Sequence, residues 1–422
     1  MKLSQTDSVF DLVIIGGGAA GFMAGIACAE NNPGLRIGIF ERSSNVLSKV
    51  RVSGGGRCNV THSCFDPETL TRSYPRGGRE LRGPFHVWQP ANTVDWFQSR
   101  GVRLKTEADG RMFPVTDSSQ TIIDCLIGEA KSKRIRIQTG REVVQVDSNG
   151  FGFEVLLSNG EKLTAERMLV ASGGLKKGPI LNLIRESGHS IEPLAPSLFT
   201  FSIKDDLLKG LQGTSVEHCE ASIPGTRLVQ SGPMLVTHLG LSGPVILKLS
   251  AWGARWIQDQ SYRFSCDVNW TGTWTQAETR DRLKQERTCS SRKRISGTPL
   301  FDLSKRLWPR LTERSGIPDD LPWSRMSSTH LESLFTHLTR TQFQVTGKSM
   351  NKEEFVTCGG VRLKEINFKT MESRKVPGLH FAGEVLDIDA VTGGFNFQAA
   401  WTTGVIAGRA VAECLQSCRS PT

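Results

Sequence analysis

The stretch VIIGGGAAGFMAG, residues 13–25, runs three branched apolar residues straight into three glycines and then into small residues. A chain gives up side chains at that density where its backbone must turn tightly or lie against something large. Upstream, SVFDLVII (8–15) reads as a buried strand, short and β-branched, ending at glycine. Downstream, AAGFMAGIACAENN (19–32) reads as an alanine-rich helix with Phe22, Ile26 and Ala29 on one stripe. RIGIFE (36–41) reads as a second strand. A β-α-β unit of this size is that of a parallel crossover.

Gly16, Gly18 and Gly21 form a G-x-G-x-x-G in its full context of strand, helix and second strand. The first glycine permits the tight turn, the second lets a pyrophosphate reach the backbone, and the third lets helix pack on strand. Free N–H groups and the positive end of the helix then face the phosphates. Glu41 stands at the end of the second strand, twenty residues beyond Gly21. A carboxylate there accepts hydrogen bonds from an adenosine ribose and repels a 2′-phosphate.

Three further stretches favour FAD over NAD. SGGGRCN (53–59) is a second glycine run, as a long flavin needs backbone donors along both pyrophosphate and ring. LVASGG (169–174) is a strand ending in small residues. In LHFAGEVLDIDAVTGGFNFQAAWTTG (379–404), a strand ends at Gly383-Glu384 and a glycine pair, Gly393-Gly394, opens a helix. An acid at 384 suits ribityl hydroxyls, and the helix start suits the flavin O2/N1 edge, where negative charge develops on reduction. No second G-x-G-x-x-G occurs, so NAD(P)H, if used, is a transient reductant without a domain of its own.

The chain resembles the BaiN/YhiN-like flavoproteins, the group that includes aminoacetone oxidase-like enzymes. DLVIIGGGAAG, KVRVSGGGRCNVTH, GRMFPVTDSS, THLGLSGPVIL, VTCGGV with TMES, and FAGEVLDIDAVTGGFNFQAAWTTG carry the resemblance, in order, over nearly the whole length. It implies an α/β fold: a two-segment Rossmann-like FAD-binding domain with an inserted β-barrel-like domain and a helical insert. By motif match it places FAD contacts on Gly16, Gly18, Ala20, Gly21, Glu41, Arg42, Gly55, Gly56, Arg57, Asn59, Gly173, Glu384, Gly394, Phe395 and Asn396. The group's chemistries include amine oxidation, reduction of conjugated C=C bonds in steroid-like acids, and reduction of a ribosomal RNA uridine to dihydrouridine. QERTCSSRKRISGTP, from residue 285, matches none of the group's motifs.

The texture of the chain agrees with an interrupted domain. Residues 1–190 read as a first FAD-binding segment, 191–272 as a β-rich insert, 273–340 as a basic helical insert, 341–356 as a return strand, and 357–422 as the second FAD-binding segment. The apolar runs fall short of a membrane span, and the start of the chain has no secretory h-region, so cytoplasm is expected. Ten cysteines are scattered with no C-x-x-C, which disfavours a zinc ribbon, a dithiol and a flavin-disulfide reductase; no metal site is expected.

Acid/base candidates are few. His238, in THLGLSGP between two turns, is the best candidate for a proton donor. Arg57 suits a phosphate or a substrate carbonyl. The net charge is +10, and residues 278–314 hold eleven Lys/Arg against five Asp/Glu. With Trp274, Trp308 and Trp323 nearby, that stretch suits RNA phosphates and stacked bases. RSYPRGGRELRGP (72–84) adds four arginines. The expectation is an FAD-dependent reductase of a conjugated C=C bond, with a uridine of ribosomal RNA as leading substrate. A small-amine oxidase, a small-molecule enoate reductase and a non-catalytic flavin-bound RNA-binding protein are the alternatives.

Overall fold

The computed structural model describes residues 8–148, 150, 152–349 and 356–419. The chain forms two compact units. One comprises the described residues up to Ala195 and from Val356 onward; the other begins at Pro196.

The first unit is built on a parallel sheet. Strand β1 (Val9–Ile15) lies between β2 (Ile37–Phe40) and the strand Lys162–Val170, parallel to both. Leu379–Phe381, from the far end of the chain, adds in parallel on Lys162–Val170. Helix α1 (Ala19–Asn31) is buried along eleven of its residues, so alanine and glycine serve it better than amphipathic stripes. Its partner is the long helix Phe395–Arg419. Close approach there is set by small residues: a Cβ on Gly404 would lie 2.6 Å from the Ala20 carbonyl oxygen, and one on Gly408 would lie 2.1 Å from that of Ala24. The two chain segments are thus tied through one helix pair and one sheet. Two further helices of this unit, Pro90–Gln98 and Ser119–Ser132, lie between its strands, the second entered through Ser118.

The second unit holds a closed barrel of six strands: Thr200–Ile203, Ser215–Ser222, Val229–Thr237, Gly240–Ser242, Phe264–Asn269 and Thr341–Ser349. Its strands alternate as a barrel wall requires. Phe264, Cys266 and Val268 face inward, as do Phe343 and Val345. Two helices, Pro244–Trp252 and Ala254–Asp259, interrupt the strands of the segment that the sequence presents as a β-rich insert. The helical stretch Gln276–Cys289, Leu307–Arg314 and Ser328–Thr339 buries Leu283, Trp308, Leu311 and Leu334 in one cluster with the barrel interior. Barrel and helices therefore share a single core. Among the described residues no helix is long and apolar enough to cross a membrane.

Candidate dinucleotide site

At the end of β1 the three motif glycines divide into two kinds. Gly16 has φ +110°, and a Cβ there would lie 2.4 Å from the Ala171 carbonyl oxygen. One on Gly21 would lie 2.2 Å from the Gly16 carbonyl oxygen. Both are excluded by the fold itself. A Cβ on Gly18 would meet nothing within 4 Å. Gly18 is also the N-cap of α1, which has no side-chain cap and no acid in its first turn. The first amides of the helix are left for an anion. Ala20, one residue into the helix, is buried and packs between Gly383 and Gly404.

Glu41, beyond β2, is fixed by two backbone donors. Gly17 N–H donates to Oε2 and Ser43 N–H to Oε1, each at 2.9 Å. Each carboxylate oxygen keeps a lone pair for a hydroxyl. A cleft opens beside it, lined by Gly16, Phe40, Glu41, Arg42, Val143 and Ile180, among others. Its lining mixes charged side chains with apolar ones, a combination an adenosine can use. The exposed Arg42 borders it, and Gly173, where an added Cβ meets nothing within 4 Å, lies on the nearby loop.

The second glycine run repeats the pattern: Cβ atoms on Gly55 and Gly56 would point into open space. Asn59, in the amide orientation that satisfies both its ends, accepts the Gly394 N–H at 2.9 Å and donates to the Thr61 carbonyl at 3.1 Å. That contact draws the second glycine run to the Gly393-Gly394 turn. Gly394 is forced by the Thr61 carbonyl oxygen, 2.5 Å from where its Cβ would sit, and Gly393 by the Phe395 ring. Gly383, beside Ala20, precedes Glu384, whose Oε1 accepts the Thr357 N–H at 2.8 Å and whose Oε2 takes the Lys49 ammonium. The glycines, Glu41 and Glu384 thus line one face of one unit. This donor set fits a dinucleotide: bare amides where phosphates carry charge, and a carboxylate at each of two polyol positions.

Two residues are otherwise engaged. The Arg57 guanidinium pairs with Glu107 at 2.6 Å and with Asp117 at 3.6 Å, and lies over the Phe113 ring. Asn396 returns both amide ends to Ala390, clamping its own loop. His238 is exposed at the turn between Val229–Thr237 and Gly240–Ser242, on the barrel unit. Trp308 and Trp323 are fully buried, so neither offers a face to a base; Trp274 is partly exposed.

Sequence reasoning passed over His62 and Tyr74. The His62 ring stacks on Phe395, centroids 4.6 Å apart, beside the Gly393-Gly394 turn. Its Nδ1 accepts the Cys64 N–H and its Nε2 faces the Asp109 carbonyl oxygen, so the tautomer carries its proton on Nε2. Burial holds its pKa below the usual histidine value. The Tyr74 hydroxyl donates to the Phe395 carbonyl at 2.7 Å, and burial pushes its pKa well up, keeping it a phenol. His62 ends the motif KVRVSGGGRCNVTH, the one signal that marked it.

The family model described as the HI0933-like protein Rossmann domain matches residues 10–410. The chain belongs to this family. The HI0933-like chain is 30% identical over 405 residues to the ribosomal RNA dihydrouridine synthase of Escherichia coli, covering 93% of this chain and 96% of that protein. It is 28% identical over 411 residues to the 3-dehydro-bile acid delta(4,6)-reductase of Clostridium scindens, covering 95% of this chain and 98% of the relative. Its fold resembles that of a 3-ketosteroid-delta4-(5alpha)-dehydrogenase from Rhodococcus jostii, with a TM-score of 0.53 at 13% identity, over 97% of this chain and 99% of that one. By family the protein is an FAD-dependent oxidoreductase.

Proposed function

We propose that this protein reduces a conjugated C=C bond, and that its substrate is a uridine of ribosomal RNA, converted to dihydrouridine. One observation supports the reading above others. Two relatives matched over nearly the whole chain bear names that denote the same chemistry, hydrogen added across a C=C bond, on unrelated substrates. The uridine C5=C6 bond is conjugated to a carbonyl and accepts hydride at C6 as an enone does at its β-carbon.

Bound FAD supplies that hydride from its reduced ring. The chain's own residues do the rest. The Gly16-Gly18-Gly21 turn and the α1 amides hold the pyrophosphate. Glu41 takes the adenosine ribose, with Arg42 at the rim. Glu384 takes the ribityl hydroxyls, and the backbone at Gly55, Gly56 and Gly173, where an added Cβ meets nothing within 4 Å, leaves room for the cofactor. The start of the helix Phe395–Arg419 lends its positive end to the ring. NAD(P)H serves as reductant from solution, His238 delivers the proton that C5 takes after the hydride reaches C6, and the enzyme works in the cytoplasm.

The test is mass spectrometry of nucleosides from ribosomal RNA of cells with and without the gene. Dihydrouridine should fall on deletion and return with the wild-type gene. Unchanged dihydrouridine, with rapid oxygen uptake by the purified protein on aminoacetone, would replace the reading with amine oxidation.

A further inference from the structure

The basic residues of 278–314 separate into two sets. Arg280 pairs with Glu332, Arg282 with Glu286, Lys284 with Asp281, Arg310 with Glu313 and Arg314 with Asp205. Arg306 donates to the Gly210 and Gln212 carbonyls. These cations are spent inside the unit: within or between its helices, and, for Arg306 and Arg314, on the 205–212 segment between two barrel strands. Arg287, Arg292, Lys293, Arg294 and Lys305 are exposed and make no ion pair or side-chain hydrogen bond among the described residues. Four of them crowd into residues 287–294, Arg287 in the last turn of the helix Gln276–Cys289 and the other three in the turn that follows it.

That turn is not a loose loop. Trp323 N–H donates to the Lys293 carbonyl, Ser324 N–H to that of Ser291, and Ile295 N–H to that of Leu321, each at 3.0 Å. The pairing brings in Arg325, also exposed and unpartnered. Beneath it, the Trp308 indole donates to the Ile295 carbonyl at 2.7 Å, and Trp308, Trp323 and Ile295 are fully buried. The tryptophans are the floor of the basic surface, not its stacking platform. Asp319 and Asp320 are the exposed acids on the facing segment, so cations exceed them five to two.

We infer that Arg287, Arg292, Lys293, Arg294 and Arg325 form a docking surface for the phosphate backbone of RNA. The inference rests on the uridine reading above and names the partner's contact. Guanidinium forks on a rigid backbone suit phosphate oxygens. No exposed large apolar side chain lies between 285 and 325, which leaves nothing to enter a lipid surface. With no ring free to stack there, the contact reads charge and not sequence.

The test is titration of the purified holoprotein against a fluorescein-labelled poly(U) oligonucleotide across a salt series. Each lost phosphate contact on a single strand flattens the salt slope by about 0.7, so R292Q/K293Q/R294Q should flatten it by about 2 and weaken binding about a hundredfold near 0.1 M salt. R280Q/K284Q/R310Q removes the same charge from ion-paired positions and should bind nearly as wild type does. Equal losses in both triples, or wild-type binding by R292Q/K293Q/R294Q, overturn the surface. Loss of binding to phosphatidylglycerol vesicles, with poly(U) binding intact, also overturns it. The uridine reading fails separately: ribosomal dihydrouridine unchanged on deletion would sink that reading, whichever way the titration falls.

Discussion

The Lys49 ammonium rests on the Glu384 carboxylate across 335 positions of sequence. Lys49 belongs to the short helix Ser48–Val52 ahead of the second glycine run, and Glu384 follows the last strand of the sheet. With Thr357 N–H on its other oxygen, Glu384 is held from two sides, at the place where a cofactor's polyol would lie.

Replacing Glu384 by Gln removes the ion pair and keeps an amide oxygen for Thr357. Lys49 is about half exposed, so the pair itself contributes little to the apoprotein, and its melting temperature should barely move. A hydrogen bond to a charged acceptor is worth roughly 1.5–3 kcal/mol, so FAD affinity should fall about 10- to 100-fold. Fluorescence titration of the apoprotein with FAD reads this. Wild-type affinity in E384Q would reduce Glu384 to a loop clamp.

Glu41→Ala removes the carboxylate that Gly17 and Ser43 orient. FAD should dissociate about 10- to 100-fold more readily, by the same charged hydrogen bonds. The purified variant should lose its yellow colour on extended dialysis while wild type keeps it. Equal retention would deny Glu41 its ribose.

The two kinds of glycine predict opposite failures. Gly16→Ala puts a Cβ against a backbone oxygen at positive φ, where strain alone costs roughly 1–3 kcal/mol; the variant should be poorly soluble or markedly less stable. Gly18→Val meets open space, so the apoprotein should melt nearly as wild type does while binding little FAD. Thermal melts with and without FAD separate these outcomes. A Gly18→Val protein that binds FAD normally would move the pyrophosphate elsewhere.

The dinucleotide half was legible because its signals are local. β-branched runs that stop at glycine, and an acid at the end of the next strand, need only neighbouring residues to be read. The barrel was legible as strands, but not its two interrupting helices, since the apolar stretch Pro244–Trp252 suits either state. What could not be read depended on distant partners. Arg57 sits in the glycine loop, yet Glu107, fifty positions on, takes its guanidinium. Arg314 counts toward a charge run, yet Asp205 lies 109 positions away and neutralises it. Trp308 and Trp323 read as aromatics beside cations, and only the shared core shows that they face inward.

His238→Ala tests the proposed proton donor. Its ring is exposed at a hairpin turn, so removal should leave stability within about 0.5 kcal/mol of wild type. General-acid groups contribute roughly 10²–10⁴-fold, so reoxidation of the reduced enzyme by substrate should slow by about that factor, with the resting flavin spectrum intact. Stopped-flow absorbance measures it. An unchanged rate would take His238 out of the mechanism.

The pH dependence of stability should centre on His380. It is buried in Leu379–Phe381, the strand that joins the second chain segment to the sheet. Burial pushes its pKa from 6.5 down to about 4, against the opposing charge of Glu372. Between those values the unfolded chain binds a proton that the native chain refuses. Stability contributed by the neutral ring is therefore full above about pH 6.5 and is lost as pH falls toward 4, by about 2 kcal/mol at about pH 5. His62, His189 and His337, also shifted down by burial, add in the same direction. Urea unfolding at about pH 7.5 and pH 5 measures the difference. His380→Asn keeps a group able to reach the Gly378 carbonyl but has no proton to gain, so it should flatten the dependence by about that amount. A variant as acid-sensitive as wild type would show that His380 is reached by water in the folded state.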